Sequence, residues 1–387
     1  MSLGSGQWLG VLGAGQLGRM FCQSAQAMGY RVLVLDPADQ APAIDLADDH
    51  LKAGFDDRAA LDEMAKRCQA TTTEFENVPA ASLEHLSRTT TVMPGARAVA
   101  IAQNRIEEKA FIAGLGVPVA PHAAIKRLED FDGVDRALFP GILKVAELGY
   151  DGKGQCHVSS VQEARAAFEQ MRSVPCVLEA KLELVSELSV ILARDRHGHC
   201  VVYPVARNIH HQGILAVTHV DGLSNKMTET AQQAACQIAQ GLGYHGVLCV
   251  EFFVLPGERL VVNEMAPRPH NSGHYTQNAC VVSQFEQQAR VLADLPLGQT
   301  RLQEPAVMLN LLGEQWLTQC SQTPREPRWA EVLAHPGTSL HLYGKRQARC
   351  GRKMGHINIT APRFEQALEV ANAVVDVLGL PVYASPA

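Results

Sequence analysis

Residues 247 to 264 read VLCVEFFVL, then PGE, then RLVVNE. Two apolar runs, Val247–Leu255 and Arg259–Glu264, flank Pro256-Gly257-Glu258, a short turn-forming segment. This pattern predicts a β-hairpin. With Gly257 and Glu258 at the centre of the turn, Glu251 falls directly opposite Glu264, on one face of the pair. Like charges facing each other across a ladder are destabilising. A divalent cation with hard oxygen ligands removes that cost, and Mg²⁺ commonly combines one or two carboxylates with substrate phosphates. Glu251 and Glu264 are therefore the candidate metal ligands, for Mg²⁺ or Mn²⁺.

The polar block Asn263–Gln277 (NEMAPRPHNSGHYTQ) follows at once. Pro267 and Pro269 prevent a regular helix there. Arg268, His270 and Asn271 are thus held on a stiff loop beside the proposed metal. His270 and His274 stand four apart, but that spacing indicates zinc only on a continuous helix.

Upstream, Lys144 lies inside an apolar strand, Leu143-Lys144-Val145, where a lysine needs a partner. The loop Gly149-Tyr150-Asp151-Gly152-Lys153-Gly154-Gln155 comes next. Three glycines in six residues can fold over phosphates, with Lys144 and Lys153 supplying positive charge on either side. This is not a Walker-type loop, because no Ser or Thr follows the lysine. The strand Cys176–Leu182 ends in Glu179-Ala180-Lys181-Leu182, whose backbone is suited to an adenine edge. Glu187, a little further on, is placed to hold ribose hydroxyls.

The first hundred residues alternate strand and helix. Apolar strands at Trp8–Gly13, Arg31–Asp36 and Ala70–Phe75 are separated by helices at Gln16–Met28 and Ala59–Cys68, which predicts a parallel α/β sheet. Gly13-Ala14-Gly15-Gln16-Leu17-Gly18 matches the dinucleotide fingerprint, and Asp36 ends the second strand about where a ribose-binding acid belongs. Taken alone, these features point to an NAD-dependent oxidoreductase. The glycine loop itself requires only an anion at a helix N-terminus.

Asn104 is placed to cap a helix through Ile112, and a boundary falls nearby. After Pro296 and Gly298 come strands near 307–312, 339–343 and 356–360, then a helix carrying Phe364, Leu368, Ala371, Val375 and Leu378, stopped by Gly379. Arg349, Arg352 and Lys353 form a basic knot suited to a phosphate. The expected units are 1–105, 106–298 (lobes about 106–175 and 176–298) and 299–387.

Composition limits the function classes. Hydrophobic residues make up 47% of 387 and charged residues 19%, which fits a folded chain and not a disordered one. With 40 acidic against 34 basic side chains, the net charge of −6 argues against a broad nucleic-acid surface. There is no 18-residue apolar run and no signal peptide, so no membrane partner is expected. Ten scattered cysteines without a Cys-x-x-Cys pair predict reduced thiols and a cytoplasmic protein.

Taken in order, GAGQLGRM (13–20), EFENVP (74–79), GYDGKGQ (149–155), the 263–277 block and GRKMGH (351–356) resemble the ATP-grasp enzymes. Within them they resemble the N5-carboxyaminoimidazole ribonucleotide synthetase family, ATP-dependent carboxylating enzymes of purine biosynthesis. The resemblance implies an ATP-grasp fold, preceded by a Rossmann-like parallel α/β domain and followed by a small mixed C-terminal domain. It also implies a homodimer, with ATP, bicarbonate and aminoimidazole ribonucleotide as substrates. On this resemblance Arg105, Lys144, Gly149–Gln155, Glu179–Leu182, Glu187, His210 and Asn263 contact ATP, while Glu251 and Glu264 hold Mg²⁺. Asp151, Arg268, His270 and Lys353 carry the chemistry, and Gln16, Glu74, Asn271 and Arg352 bind the ribonucleotide. Val145-Ala146-Glu147 departs from the family pattern, which carries basic residues just after the strand lysine. Two rival enzyme readings stand beside this one. Formate-dependent glycinamide ribonucleotide formylation keeps the fold and changes the acceptor. The NAD-dependent oxidoreductase leaves the facing glutamates and the second glycine loop unexplained.

Overall fold

The computed structural model describes residues 2–147, 154–317 and 325–381, which form three sheets. The first holds β1 (Trp8–Leu12), β2 (Arg31–Leu35), β3 (Asp49–Leu51), β4 (Ala70–Thr73) and β5 (Thr91–Val92) in the order β3-β2-β1-β4-β5. Every pairing is parallel, as the strand–helix alternation predicts. Leu9, Val11, Val32 and Val34 are fully buried because helices cover both faces. The helix Gln16–Ala27 buries Leu17, Met20, Phe21 and Ala25 at three- and four-residue steps. It ends before Gly29, whose φ of +83° suits glycine.

The second sheet is antiparallel: β6 (His122–Ile125), β7 (Gly141–Val145), β8 (Gln155–Val158) and β9 (Cys176–Ala180), in the order β6-β9-β7-β8. It places Lys144 on a central strand.

The third sheet begins with β10 (Ser186–Arg194), β11 (Cys200–Val202), β12 (Ala206–His211), β13 (Ile214–Val220), β14 (Gly246–Leu255) and β15 (Arg259–Ala266). It continues through β16 (Ala306–Leu312), β17 (Thr338–Leu342) and β18 (Lys353–Thr360). The order is β15-β14-β10-β12-β13-β16-β18-β17, with β11 beside β10. The strands expected in a separate small C-terminal unit thus extend the same sheet, through β13 and β16. The closing helix Phe364–Leu378 covers them with Ala367, Ala371 and Val374. Another segment crosses the expected boundaries. The helix Gln284–Leu292 buries Ala289, Val291 and Leu292 against Leu9, Val11 and Phe21 of the N-terminal core. The N-terminal sheet and the helix that follows β15 are therefore packed against each other.

The hairpin register differs from the expected one in an instructive way. Leu255 pairs with Arg259, so the loop has three residues, and Phe252 pairs with Val262. Continued unchanged, that register would put Asn263 opposite Glu251 and turn Glu264 to the other face. A bulge at Asn263 adds one residue to β15 and restores Glu264 to its place opposite Glu251. The predicted pairing is right, and the bulge, not the turn, produces it.

Candidate active site

Glu251 and Glu264 line a cleft of about 370 Å³. Burial, and then the nearby Glu264, push the Glu251 carboxyl up to about 7. Burial also acts on Glu264, but Arg105, 2.7 Å from it, together with Lys144 and Lys109, holds its carboxyl below the ordinary value. Arg105 begins the helix Arg105–Gly114, which Asn104 caps by accepting from the amides of Ile106 and Glu107. Two facing oxygen-donor side chains, one kept ionised, fit a hard divalent cation.

Lys144 finds the partner its burial requires. Its Nζ donates to Glu179 at 2.9 Å, and Lys109 meets the other Glu179 oxygen at 3.2 Å. These two cations outweigh burial and keep Glu179 ionised. Glu179 thus stands behind Lys144, held by two lysines. The amides of Ala180 and Lys181 donate to Pro121 and Pro140 carbonyls, so an adenine donor in this segment has to come from beyond them. Neither Glu179 nor Ala180, Lys181 and Leu182 lines the cleft, whereas Leu184, Gln155, Glu187 and His210 do. Glu187 lies 3.1 Å from His210 and, against the effect of burial, raises the imidazole's pKa.

Glu108 and Lys109 are central to this wall, and motif reading missed them. Both are 1% exposed. Glu108 accepts from the Met265 amide at 2.6 Å, and burial, followed by Glu264, pushes its carboxyl up to about 8. A signal was available: Glu108 stands one helical turn before the buried Ile112, so the helix period already faces it inward.

A second cavity of about 720 Å³ adjoins the first, and Arg268, His270, Asn271 and Lys353 line both. Gln16, Glu74 and Arg352 line the second. Arg268 forms an ion pair with Glu76, another residue that sequence reading did not single out. His270 holds Ser272 Oγ at 2.8 Å through Nδ1 and faces Glu251 at 3.4 Å through Nε2. Burial, then the charges of Arg268 and Lys353, lower the His270 pKa well below the ordinary value, so its ring is neutral. Among the described residues the buried Asn271 carboxamide finds no hydrogen-bond partner for its oxygen or its nitrogen. Buried polar groups are rarely left so, and Asn271 lines both cavities. Arg352 donates to the Gln347 carbonyl at 2.7 Å. Lys345, also missed, reaches the Lys353 carbonyl at 2.7 Å from the same cavity wall.

The first glycine loop is spoken for by the protein itself. Glu74 accepts from the amides of Gly15 at 2.8 Å and Gly18 at 3.2 Å. Asp36, expected at a ribose, accepts from Ala14 at 2.9 Å and so braces the loop. A Cβ on Gly15 would come within 2.8 Å of the Glu74 carboxylate, so the glycine serves this internal anion. That removes the physical basis of the NAD reading, since a pyrophosphate needs the same amides.

Gly149, Tyr150, Asp151, Gly152 and Lys153 lie outside the described residues. Gly154 adjoins them, and its carbonyl accepts from the Val145 amide at 2.9 Å. At the departure from the family pattern, Glu147 accepts from the Asn104 side chain at 2.9 Å, so it supports the helix that presents Arg105. Asn263, the bulge residue, lines the cleft, and its carbonyl accepts from Lys109 at 3.3 Å.

Three family models match in chain order: a ribonucleotide synthetase preATP-grasp domain over residues 7–103, an ATP-grasp domain over 110–285, and a phosphoribosylaminoimidazole carboxylase C-terminal domain over 306–370. The chain is 41% identical over 366 residues to the N5-carboxyaminoimidazole ribonucleotide synthase of Brucella melitensis, covering 94% of this chain and 98% of that one. It is similar in structure to an N5-carboxyaminoimidazole ribonucleotide synthetase solved with ADP, with TM-score 0.88, 36% identity and 98% of each chain covered. A synthase from Aspergillus clavatus, solved with ADP and 5-aminoimidazole ribonucleotide, matches with TM-score 0.86 and 30% identity over 97% of this chain and 99% of that one.

Proposed function

We propose that this chain, which belongs to the N5-carboxyaminoimidazole ribonucleotide synthase family, uses ATP and bicarbonate to carboxylate the amine of 5-aminoimidazole ribonucleotide in purine biosynthesis. It is an ATP-grasp ligase. The observation that carries the site assignment is the pair of adjoining cavities, which meet at Arg268, His270, Asn271 and Lys353. ATP occupies the cleft of Lys144, Glu187 and His210, and the ribonucleotide occupies the cavity of Gln16, Glu74 and Arg352.

In this reading bicarbonate attacks the γ-phosphoryl group, giving carboxyphosphate and ADP; the ribonucleotide amine then attacks the carboxyl carbon, the bond to phosphate breaks, inorganic phosphate leaves and the amine gives up a proton. Glu251 and Glu264 hold Mg²⁺, which supplies charge neutralisation at the phosphate oxygens. Lys144 and Arg105 orient the phosphates. Arg268 and Lys353, at the junction, orient the carboxyl group and stabilise its charge. Arg352 binds the ribonucleotide phosphate, and Asn271 meets the ribonucleotide with its unpartnered carboxamide. His270 positions the reacting groups. Asp151 is assigned as the base for the amine proton.

ADP release, measured with Mg·ATP and bicarbonate, should rise sharply when the ribonucleotide is added; no stimulation in folded protein would remove the substrate assignment. Asp151→Asn should lose ligation while retaining ATP binding, and unchanged turnover would take Asp151 out of its role. The same proposal includes three units divided at 105/106 and 298/299, supported by three family models that match in that order. It also includes a homodimer, to be tested by light scattering, and a cytoplasmic location, supported by the unpaired thiols of the described cysteines.

A further inference from the structure

Glu251 has a second set of neighbours, Cys249 and His270, of which the carboxylation reaction does not use Cys249. Cys249 stands two residues before it on β14, so both side chains leave the same face of the strand. His270 arrives from the loop after β15. Cys249 Sγ, a Glu251 carboxylate oxygen and a His270 ring nitrogen all lie within 4.8 Å of one another. The contact of His270 Nδ1 with Ser272 Oγ at 2.8 Å leaves Nε2 as the atom turned to Glu251. Nδ1 also accepts from the Ser272 amide at 3.3 Å, so the ring's orientation is fixed from its far side.

We propose that Cys249, Glu251 and His270 form a binding site for a thiophilic divalent ion, Zn²⁺ or a chemical analogue, which inhibits the enzyme by drawing Glu251 away from Glu264. The donor set separates the two cations. Facing carboxylates offer the hard oxygens that Mg²⁺ requires. A thiolate, an imidazole and one carboxylate, with a fourth position open to the cleft, match a three-ligand zinc site.

The charge balance also fits. Binding releases the Cys249 thiol proton to water, so thiolate and carboxylate together neutralise the dication. Metal coordination deprotonates the thiol outright. Arg268 and Lys353 oppose a cation here, while Glu264 and Glu187 favour one. Cys249 itself is fully buried and touches neither proposed substrate cavity, so it is free to be replaced.

The test titrates ZnCl₂ into the ADP-release assay at saturating Mg·ATP, for wild type and Cys249→Ala. The variant should keep its turnover without zinc. It should need about tenfold more zinc, or beyond, for equal inhibition, since even loss of an outer-shell partner costs roughly 10–100-fold in metal affinity. Equal zinc sensitivity would overturn the proposal and leave simple replacement of Mg²⁺ on the two glutamates. The inhibitory effect rests on the proposed Mg²⁺ role of Glu251, so a second reading is taken without substrates. Co²⁺ added to wild type should give a thiolate-to-cobalt charge-transfer band that Cys249→Ala lacks. An absent band, or one of undiminished strength in the variant, overturns the site whether or not the carboxylation reading holds. Should Cys249→Ala fail to fold, Cys249→Ser takes its place in both measurements.

Discussion

Glu74 accepts hydrogen bonds from two backbone amides of the first glycine loop, whereas Glu264 meets an arginine and a second carboxylate. The residue type is the same and the surroundings differ in kind. Amides of a folded loop cannot leave, so Glu74 is locked into the architecture that shapes the second cavity. A guanidinium on a side chain can be exchanged for a metal ion and its phosphates. The contrast shows how to separate a bracing carboxylate from a ligand-holding one: ask whether its partners are fixed dipoles or replaceable charges. Asn271 takes the second case further, because its buried carboxamide has no hydrogen-bond partner among the described residues.

The contrast is most exposed to failure at Glu264. Glu264→Gln should lower kcat/KM by about a hundredfold, roughly 2.7 kcal/mol of transition-state stabilisation, and raise the Mg²⁺ concentration needed for half-maximal rate. A variant with wild-type Mg²⁺ dependence would break the comparison. Glu74→Gln should behave in the opposite sense. Its amide cannot accept from both Gly15 and Gly18, so denaturant unfolding should show a loss of about 1–3 kcal/mol. Retained stability would show that the loop does not need its internal anion. Asn271→Ala sharpens the contrast on the substrate side. KM for the ribonucleotide should rise about tenfold, or ~1.4 kcal/mol, with kcat less affected and stability nearly unchanged. A loss of stability with KM unchanged would make Asn271 a structural residue.

The last effect concerns the pH dependence of stability at Glu108. Its folded-state pKa is about 8 against an ordinary 4.5, so the folded chain binds this proton more tightly than the unfolded one. The stabilisation is complete below 4.5 and is lost as pH rises through about 8. Glu108→Gln has no such proton, and its melting temperature should fall less than that of wild type across that window. Parallel curves would mean that Glu108 titrates normally.

Much of this was legible in the sequence because the decisive residues sit close together in it. Glu251 and Glu264 share one hairpin, and Arg268, His270 and Asn271 follow within a few positions. Their convergence needs only local geometry. The details were harder. Turn composition could not reveal the bulge at Asn263, because bulges answer to the strands on both sides. Glu179 reads as a nucleotide contact, and nothing in its own segment shows that Lys109, on a helix far away in sequence, reaches it. The fingerprint glycines read as a cofactor loop because their short motif is silent about Glu74, whose side chain arrives from another strand.

The unbroken third sheet has a mechanical consequence. Glu251 and Glu264 on β14 and β15 and Lys353 at the start of β18 belong to one hydrogen-bonded lattice. Lys144 and Gln155 belong to another, the four-stranded sheet. A displacement of the smaller sheet therefore carries the phosphate-side groups as a block and leaves the spacing between acids and Lys353 unaltered. The molecule is built like a vice, with one continuous jaw that holds the two acids and Lys353 in gauge and a separate jaw that carries Lys144.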